Sequence, residues 1–438
     1  MRTNKTIHEA LGFDDVMLVP AESKLKKTDI DLRTRLTRGI TLSVPLIACG
    51  GVAVESALAV ALARLGGIGV IHGQMPLGKQ VEEVRRVKRA EGDIVAEPIT
   101  LSPDSSIAEA MDLMATYRIS GLPVIEQPSR KVLGIVTRRD VRFEDDATRP
   151  VKDVMTTNVV TAMQKTSRED ARRLMREHRI EKLVLVDDKQ RCAGLLTVED
   201  MEKSDHHPLA VRDAQGRLRV GATVGLGKEA VDRAAAMTDA GLDVVFIDAP
   251  HAHARDVIDT VRTIRQQRSS DVQVVVGNVL SAEAAMSLID AGADGIKIGG
   301  DVDTASAVRR GFGMAQATAL MDVAEQCALQ GVPAIAGGGI FSAGDLAKAL
   351  AAGTDCAVID LFAGALEAAG ETVFDDDMRA YKKFGAVKTA ALDTSVPCRG
   401  PAADIAVALL SGLCDAMVFT GSKDITALHD AKLVRVKV

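Results

Sequence analysis

Eight short apolar runs, each followed by a glycine or a polar residue, alternate along the chain with stretches of helical spacing. This pattern restricts the fold more than any other feature, because strands of a parallel sheet are buried on both faces and read as continuous apolar runs. The runs span 44–48, 68–71, 220–224, 244–247, 272–276, 295–298, 333–336 and 357–359. Eight successive strand–helix units predict a closed (β/α)8 TIM barrel, an α/β fold.

A block of different architecture separates the second run from the third. Its halves repeat one another, since SIAEAMDLMATYRISGLPVIEQPSRKVLGIVTRRD is followed by SREDARRLMREHRIEKLVLVDDKQRCAGLLTVED. Each half predicts a helix, a strand, a turn and a second strand, which makes the block two copies of one unit. We therefore predict a first part of the barrel at 1–93, an inserted domain at 94–203 with repeats at about 94–146 and 150–203, and the remainder of the barrel at 204–438.

Each repeat ends in the pattern T-x-x-D, at Thr137 to Asp140 and at Thr197 to Asp200. A hydroxyl at a strand end and a carboxylate three residues later are groups that bond the hydroxyls of a ribose. The same spacing also suits a helix N-cap, in which the side chains satisfy backbone N–H groups. The pattern alone leaves both interpretations open.

Composition and charge restrict the partners. The net charge is −6, and lysines and arginines are interspersed with acids, so the chain lacks the basic stripe that nucleic acid requires. The six cysteines lie far apart, which predicts neither a metal centre nor a disulfide framework. No apolar window reaches the roughly 18 residues that span a membrane. We expect a cytoplasmic protein with no nucleic-acid or membrane partner.

Several segments resemble IMP dehydrogenase and GMP reductase in the order in which that family carries them. They are LGFDDVMLVPAES from Leu11, GGIGVIHGQM from Gly66, GRLRVGATVG from Gly216, VGNVLSAEAAMSLIDAGADGIKIG from Val276, AGGGIFSAGDLAKALAAG from Ala336 and TGSKDITALHDAK from Thr420. The two repeats resemble a tandem CBS domain. The resemblance covers nearly the whole chain, including the position of the insertion.

The resemblance implies an NAD(P)-dependent oxidoreductase of purine nucleotides with a small-molecule ligand in the barrel. It also implies an adenine nucleotide bound by the CBS pair, with Thr137, Asp140, Thr197 and Asp200 as its contacts. Family barrels assemble as homotetramers or larger homo-oligomers, which we expect here.

The sequence departs from the family where the covalent chemistry takes place. Family members carry a Cys after the sixth barrel strand, whose thiolate attacks purine C2. The corresponding stretch, 299–316, contains no Cys, and Ser306 falls in its register. Ser306 is either a replacement nucleophile or a helix cap. Cys49, at the end of the first strand, is a remote candidate thiol or simply a small buried residue.

Further departures lie at the nucleotide side of the family's pocket. Gly337 replaces the family's ribose-binding Asp, and Asp360 replaces its phosphate-binding Ser. Asp360 is either a new site residue or a change satisfied by nearby backbone amides. The interval between Gly385 and Pro397 is too short for the flap whose Arg–Tyr dyad activates water in the dehydrogenases.

The other half of the pocket is retained. Asp248 and Asn278 end the fourth and fifth strands and match family positions near the nicotinamide, and His251 matches within DAPHAHA. Gly338 and Gly339 keep a backbone that an anion or cofactor approaches. The alternative is that these residues are scaffolding without a ligand, with His251 packed in its loop.

Three functions follow from these observations. The first is a relative without IMP dehydrogenase activity, whose degenerate barrel site accompanies a regulatory CBS pair that senses adenine nucleotides. The second is an enzyme adapted to a different, non-phosphorylated substrate, with Asp248, Asn278 and Asp360 as its catalytic groups. The third, a working IMP dehydrogenase or GMP reductase, requires Ser306 or Cys49 to reach purine C2. We expect the first.

Overall fold

The computed structural model describes residues 9–90, 94–95, 98–117, 119–164, 166–267, 272–299, 311–384 and 395–436. It divides into two compact units. The first comprises Met1–Ala90, Leu209–Asp213 and Leu218–Val438, and the second comprises Glu91–Pro208 and Ala214–Arg217. Each unit is described by itself below.

The strands of both units are numbered in chain order. They are β1 Val16–Leu18, β2 Thr34–Arg35, β3 Thr41–Leu42, β4 Leu46–Ala48, β5 Ile68–Ile71, β6 Ile94–Val95, β7 Gly121–Ile125, β8 Val132–Thr137, β9 Thr161–Met163, β10 Lys182–Val186, β11 Cys192–Thr197, β12 Gly221–Val224, β13 Val244–Asp248, β14 Gln273–Val279, β15 Gly295–Ile298, β16 Ala334–Ala336, β17 Cys356–Val358, β18 Glu371–Phe374, β19 Ala380–Lys383, β20 Ser395–Pro397 and β21 Leu433–Arg435.

The α-helices of the described residues follow the same order. They are α1 Ser56–Arg64, α2 Leu77–Ala90, α3 Ile107–Thr116, α4 Arg138–Val141, α5 Arg168–His178, α6 Val198–Asp205, α7 Gly227–Asp239, α8 Arg255–Gln267, α9 Ala282–Asp290, α10 Gln316–Leu329, α11 Ala343–Ala351, α12 Ala402–Thr420 and α13 Ile425–His429. Short 3-10 turns occupy Phe13–Asp15, Lys27–Asp29, Val151–Asp153 and Asp360–Gly364.

The first unit is a closed parallel barrel of eight strands in the order β12-β13-β14-β15-β16-β17-β4-β5. The predicted barrel is therefore confirmed, with every predicted strand present. Its interior is filled by alternate strand residues such as Ile47, Val70, Phe246 and Val358, as a packed core rather than a pore. Leu36, from the β2–β3 hairpin, joins this core.

At the N-terminal end of the barrel, called the foot below, three strands begin after the same tetrapeptide pattern, A-G-x-D. Each glycine has a positive φ, as is common just past a helix C-terminus: 96° at Gly241, 108° at Gly292 and 101° at Gly353. Each aspartate then accepts a hydrogen bond from the preceding strand's backbone. The pairs are Val220 N to Asp243 at 2.8 Å, Val274 N to Asp294 at 2.8 Å and Ala334 N to Asp355 at 2.9 Å.

Each foot aspartate also has a cation. Lys88 Nζ lies 2.6 Å from Asp243 and 3.0 Å from Asp213, Arg265 pairs with Asp294, and Arg35 lies 3.9 Å from Asp355. Burial raises the pKa of Asp243 despite Lys88, because removal of water disfavours the carboxylate. The three carboxylates fasten the strand pairs β12–β13, β14–β15 and β16–β17.

The second unit contains both sequence repeats, and their elements correspond. In each repeat an antiparallel strand pair, β7–β8 or β10–β11, packs under a helix, α3 or α5. Equivalent positions fill the two cores: Met114, Leu122 and Val136 in the first repeat, and Met175, Leu183 and Leu196 in the second. The repeated sequence therefore forms a repeated structure.

Helix α12 is long and apolar enough, by length and composition, to cross a membrane. It nevertheless carries Asp404 and Asp415, and Ile405, Leu409, Leu413 and Met417 are buried in the core outside the barrel strands. A single helix of this kind is also typical of a globular core. The expected absence of a membrane partner stays a prediction.

Candidate active site

The carboxyl ends of the barrel strands, called the mouth below, carry a polar layer above the apolar interior. Side chains of a barrel strand alternate between interior and exterior, so the residue two positions after an interior residue also points inward. Ile47, Phe246 and Val358 are interior residues, and Cys49, Asp248 and Asp360 follow them at that spacing. Lys297 likewise follows Gly295. We call Cys49, Asp248, Lys297 and Asp360 the mouth cluster.

An ion pair lies within the mouth cluster. Lys297 Nζ is 2.7 Å from Asp248 Oδ1, and their side chains are 6% and 20% exposed. The pair bridges β15 and β13 across the intervening strand β14. It does so at Gly277, where a Cβ atom would lie 2.6 Å from Lys297 Cβ. A glycine at this position therefore leaves the space that the lysine occupies.

Asn278 stands beside this pair at the end of β14. Its backbone is held on both sides, because Asn278 N donates to Ala249 O at 2.7 Å and Ala252 N donates to Asn278 O at 3.1 Å. Its side-chain Oδ1 is buried and accepts no hydrogen bond from any described residue. An unpaired buried acceptor costs about 1–3 kcal/mol, so this oxygen suits a ligand that brings an N–H or O–H donor.

The glycine turn after β16 meets Asp360. Gly338 and Gly339 have φ values of 124° and 73°, which a side chain would strain. Gly339 N donates to Asp360 Oδ2 at 2.8 Å, and Gln316 Nε2 donates to Gly338 O. The carboxylate thus occupies a backbone N–H of a turn that is otherwise suited to an anion.

Cys49 is half-buried at the mouth. Removal of water from around its sulfur raises the pKa of the thiol to about 12; the Lys297 ammonium opposes that rise, and the Asp248 and Asp360 carboxylates add to it. The thiol therefore stays protonated at neutral pH, and a neutral thiol is a weak nucleophile.

The sequence also predicted His251 and Ser306 as site residues. His251 is exposed on the loop after β13, with its ring 6.4 Å from that of His253. Ser306 lies outside the described residues, so its predicted role stays a prediction.

The T-x-x-D pattern of the first repeat forms a helix cap. Thr137 N and Thr137 Oγ1 both donate to Asp140 Oδ2, each at 2.7 Å, at the start of α4. In the second repeat, Thr197 ends β11, and the side chain of Asp200 lies outside the description. Thr137 and Asp140 therefore form a helix cap in this structure, and their contact with a nucleotide stays a prediction.

Comparisons with known proteins agree with the resemblance seen in the sequence. A family model described as the IMP dehydrogenase / GMP reductase domain matches residues 10–438. The chain belongs to this family. Among its relatives, inosine-5′-monophosphate dehydrogenases from Aquifex aeolicus and Bacillus subtilis are 39% and 38% identical to it, and each match covers 100% of the chain and 95% of the relative.

Solved structures of family members superpose over the full chain. A GMP reductase from Trypanosoma brucei in complex with guanosine 5′-monophosphate has a TM-score of 0.86 at 32% identity, covering 100% of this chain and 97% of that one. The same organism's enzyme in complex with guanosine 5′-triphosphate has a TM-score of 0.82 at 31% identity, covering 99% of both chains.

These family comparisons correct one prediction. A degenerate barrel without IMP dehydrogenase activity was expected, yet dehydrogenases are 38–39% identical to the chain along its whole length, which supports a working enzyme. The expectation depended on the absence of a Cys from 299–316, on Gly337 and Asp360 in place of the family's Asp and Ser, and on the short interval between Gly385 and Pro397. The alternative of a different, non-phosphorylated substrate loses its support for the same reason.

One member of the mouth cluster, Lys297, was not identified from the sequence. Lys297 lies inside the apolar run 295–298, which was interpreted only as a strand. The signal was available, because a charged residue within a buried strand needs a partner. Strand alternation places it on the same side of the sheet as Asp248.

Proposed function

We propose that this chain is a working NAD-dependent oxidoreductase that oxidises IMP at purine C2. The observation that supports it most is the buried Asn278 Oδ1, which accepts no hydrogen bond from any described residue, in a barrel related along its whole length to IMP dehydrogenases. A buried acceptor without a partner near the carboxyl ends of barrel strands is a group that a polar ligand satisfies.

The donor groups of NAD fit these residues. Its carboxamide N–H suits Asn278 Oδ1, and its ribose hydroxyls suit the Asp248 carboxylate, which Lys297 leaves one oxygen to share. NAD accepts the hydride in this reaction. Asp248 and Asn278 thus orient the cofactor, His251 and the Gly338–Gly339 turn are further contacts for it, and NADP remains the alternative dinucleotide.

Two residues compete for the role of the group that adds to purine C2. The family's Cys is absent from 299–316, and Ser306 stands in its register. Cys49 belongs to the mouth cluster, but burial raises the pKa of its thiol to about 12. Both the thiol and the serine hydroxyl are protonated at neutral pH and need a base before they can add to C2, so Ser306 and Cys49 stay alternatives. Asp360 is assigned to the nucleotide side of the pocket.

GMP reduction is the second candidate function. Strands β19 and β20 are joined by residues 384–394 alone, a connection too short for the flap that activates water in the dehydrogenases. Oxidation of IMP consumes a water molecule, whereas removal of the GMP amino group by hydride transfer does not. The full-length likeness to a GMP reductase supports the same direction.

One assay separates the two functions. The chain is incubated with IMP and NAD, or with GMP and NADPH, while the absorbance of the reduced nicotinamide is followed. Appearance of NADH supports the dehydrogenase, and loss of NADPH supports the reductase. Asp248→Asn is expected to lower either activity. Absence of turnover in both mixtures, with a folded protein, overturns the proposal.

We further propose that residues 94–203 are a tandem CBS domain that binds an adenine nucleotide through Thr137, Asp140, Thr197 and Asp200. The matched cores of the two repeats support this. Thermal unfolding with AMP and ATP tests it, because a ligand of the native state raises the Tm. Loss of the shift in Thr197→Ala is expected. Light scattering tests the expected homotetramer or larger homo-oligomer.

A further inference from the structure

The peptide group between Gly338 and Gly339 is held at both ends by side chains. Its carbonyl oxygen, Gly338 O, accepts a hydrogen bond from Gln316 Nε2, and its N–H, on Gly339, donates to Asp360 Oδ2 at 2.8 Å. The two side chains come from different elements, since Gln316 begins α10 and Asp360 follows β17. The N–H and the carbonyl of one peptide group point in opposite directions, so the two side chains hold it from opposite sides.

The flanking glycines leave the orientation of this peptide group open. Gly338 and Gly339 have φ values of 124° and 73°. Glycine adopts positive and negative φ about equally readily, so the backbone alone does not determine which way a peptide group between two glycines faces. A half-turn of the group would exchange the places of its N–H and its carbonyl. The side chains that bind it therefore determine its orientation.

Gln316 fills a space lined by glycine backbone. A Cβ atom on Gly339 would lie 2.9 Å from Gln316 Oε1, and one on Gly299 would lie 3.5 Å from Gln316 Nε2. Gly299 directly follows β15, and the glycine turn follows β16, which pairs with β15 in the barrel. The carboxamide of Gln316 is therefore seated between the ends of two neighbouring strands.

Helix α10 does not depend on this side chain. Its N-cap residue is Ala315, which makes no side-chain hydrogen bond, and the helix is anchored by buried apolar residues that include Leu320, Val323 and Cys327. The carboxamide of Gln316 instead donates across to the glycine turn. A substitution of Gln316 should therefore leave the helix in place.

The orientation of the peptide group decides which partial charge the turn presents. As it stands, the Gly339 N–H faces Asp360, and a phosphate oxygen that took the place of the carboxylate would be accepted by the same N–H. After a half-turn, Gly338 O would face that place, and its partial negative charge would repel a phosphate. The hydrogen bond from Gln316 holds the carbonyl on the opposite side and so opposes the half-turn, whether or not the carboxylate is present.

We propose that Gln316 is a positioning residue for nucleotide binding, which keeps the Gly339 N–H directed at the place where a phosphate oxygen replaces the Asp360 carboxylate. Phosphate is the group required, and the purine nucleotide and the dinucleotide both carry it. The inference rests on the proposed function only for which of these two binds at the turn, because the orientation of the peptide group does not depend on the ligand.

A double-mutant cycle with Asp360→Ala tests the proposal. Methionine has nearly the length of glutamine but no N–H donor, so Gln316→Met removes the hydrogen bond with little change of shape. In the parent chain Asp360 still holds the peptide group, and Gln316→Met is expected to change nucleotide affinity by less than about two-fold. In the Asp360→Ala chain only Gln316, of these two side chains, holds it. There Gln316→Met is expected to lower the affinity about 10-fold, or by about 1.4 kcal/mol.

Titration calorimetry of the full chain with IMP, GMP and NAD measures these affinities. A loss confined to IMP and GMP supports the proposal and assigns the phosphate at the turn to the purine nucleotide, whereas a loss confined to NAD supports it and assigns the phosphate to the dinucleotide. Equal effects of Gln316→Met in the two backgrounds, or no effect in either, would overturn the proposal.

Gln330→Met is the matched control, since it makes the same replacement at an exposed position at the other end of α10. In the Asp360→Ala chain it is expected to leave all three affinities unchanged. The Tm of both methionine variants should stay close to that of their background, because the buried contacts of α10 remain. Equal losses in the two variants, or for all three ligands, would indicate a general disturbance of the barrel and overturn the proposal.

Crystal structures without nucleotide separate this inference from the proposed function. In Asp360→Ala the peptide group is expected to keep its orientation, with Gly338 O bound to Gln316. In Gln316→Met/Asp360→Ala it is expected to be turned or to occupy both orientations. An unchanged orientation in the double variant would overturn the inference even in a chain that turns over IMP. The expected turn in a chain that binds none of the three ligands would support the inference and overturn the proposed function.

Discussion

Lys297 reaches Asp248 across an intervening barrel strand, with Nζ 2.7 Å from Oδ1. The two residues lie on β15 and β13, and β14 passes between them at Gly277. The contact is therefore a property of three strands in register. It fixes the Oδ1 oxygen of the Asp248 carboxylate.

Replacing Lys297 by Met leaves the Asp248 carboxylate at the mouth without its cation. We expect the free energy of unfolding to fall by about 2–3 kcal/mol, because a largely buried charge loses its partner. We also expect a higher KM for NAD with a smaller change in that for IMP. Chemical denaturation and steady-state kinetics measure the two effects. In Asp248→Asn/Lys297→Met, recovery of part of the stability is expected, and no recovery would contradict the pairing.

Gly277→Ala tests the path of the lysine without removing a charge. The new Cβ would lie 2.6 Å from Lys297 Cβ and 2.7 Å from Lys297 O, so the strand or the side chain must shift. We expect a loss of about 1–3 kcal/mol in unfolding free energy and a raised KM for NAD. Gly78→Ala is the control, since a Cβ there meets no atom within 4 Å. Equal stability of the two variants would show that the close approach is unimportant.

Asp360→Ser removes a carboxylate from the glycine turn and frees Gly339 N. A phosphate bound there would no longer face a negative charge, so we expect the KM for IMP to fall by about 10-fold, or about 1.4 kcal/mol. Asp360→Asn keeps the shape and removes the charge, and it should give a similar decrease. Unchanged KM values in both variants would place the phosphate elsewhere.

The raised pKa of the Cys49 thiol predicts that the free energy of unfolding decreases in alkaline solution. The pKa of this thiol is about 12 in the folded chain, whereas the ordinary thiol pKa of 9.0 applies when the chain is unfolded. The unfolded state therefore binds fewer protons between these values, and the free energy of unfolding falls as pH rises through that window. The contribution is about 1.4 kcal/mol at pH 10. Cys49→Ala should show a shallower decline in urea denaturation from pH 8 to pH 11, and an identical slope would refute the shift.

Asp294→Ala removes one of the three carboxylates that join neighbouring strands at the foot of the barrel. The substitution removes the acceptor of Val274 N and leaves the Arg265 guanidinium with backbone carbonyl acceptors but without its carboxylate partner. We expect a loss of about 3 kcal/mol in unfolding free energy, with the KM values unchanged because the foot is remote from the mouth. Asp290→Ala, an exposed change at the end of α9, is the control. Comparable destabilisation by both would show that the buried hydrogen bond contributes little.

The sequence was sufficient to predict the barrel because its strands are apolar on both faces. Runs such as 68–71 and 295–298 have the same bounds in the structure. The sheet of β18, β19 and β20 was not predicted, since Glu371–Phe374 is largely exposed and has no apolar pattern. The β1–β21 pair was missed because its partners come from opposite ends of the chain, and one sequence does not reveal such pairing.

The signal used to predict site residues was a polar residue directly after an apolar run, and the predicted roles stay predictions. Asp248, Asn278 and Asp360 were found in this way and lie at the mouth, whereas Lys297 was hidden inside its strand. Side-chain contacts were beyond the sequence: the hydrogen bond from Gly339 to Asp360 arises from two loops brought together by β16 and β17. The prediction of inactivity was wrong because the absence of family motif residues does not by itself show that the folded barrel lacks a working site.

The aspartates of the three A-G-x-D segments stabilise the barrel at the end opposite to the mouth cluster. The carboxylates that join neighbouring strands at the foot directly precede their own strands, and the residues of the mouth cluster end theirs or lie near the end. Substitutions at Asp360, or in the loop from 299 to 316, therefore remove none of these three hydrogen bonds. Evolution can conserve the residues that close the barrel at its foot while the residues at its mouth change and support new chemistry.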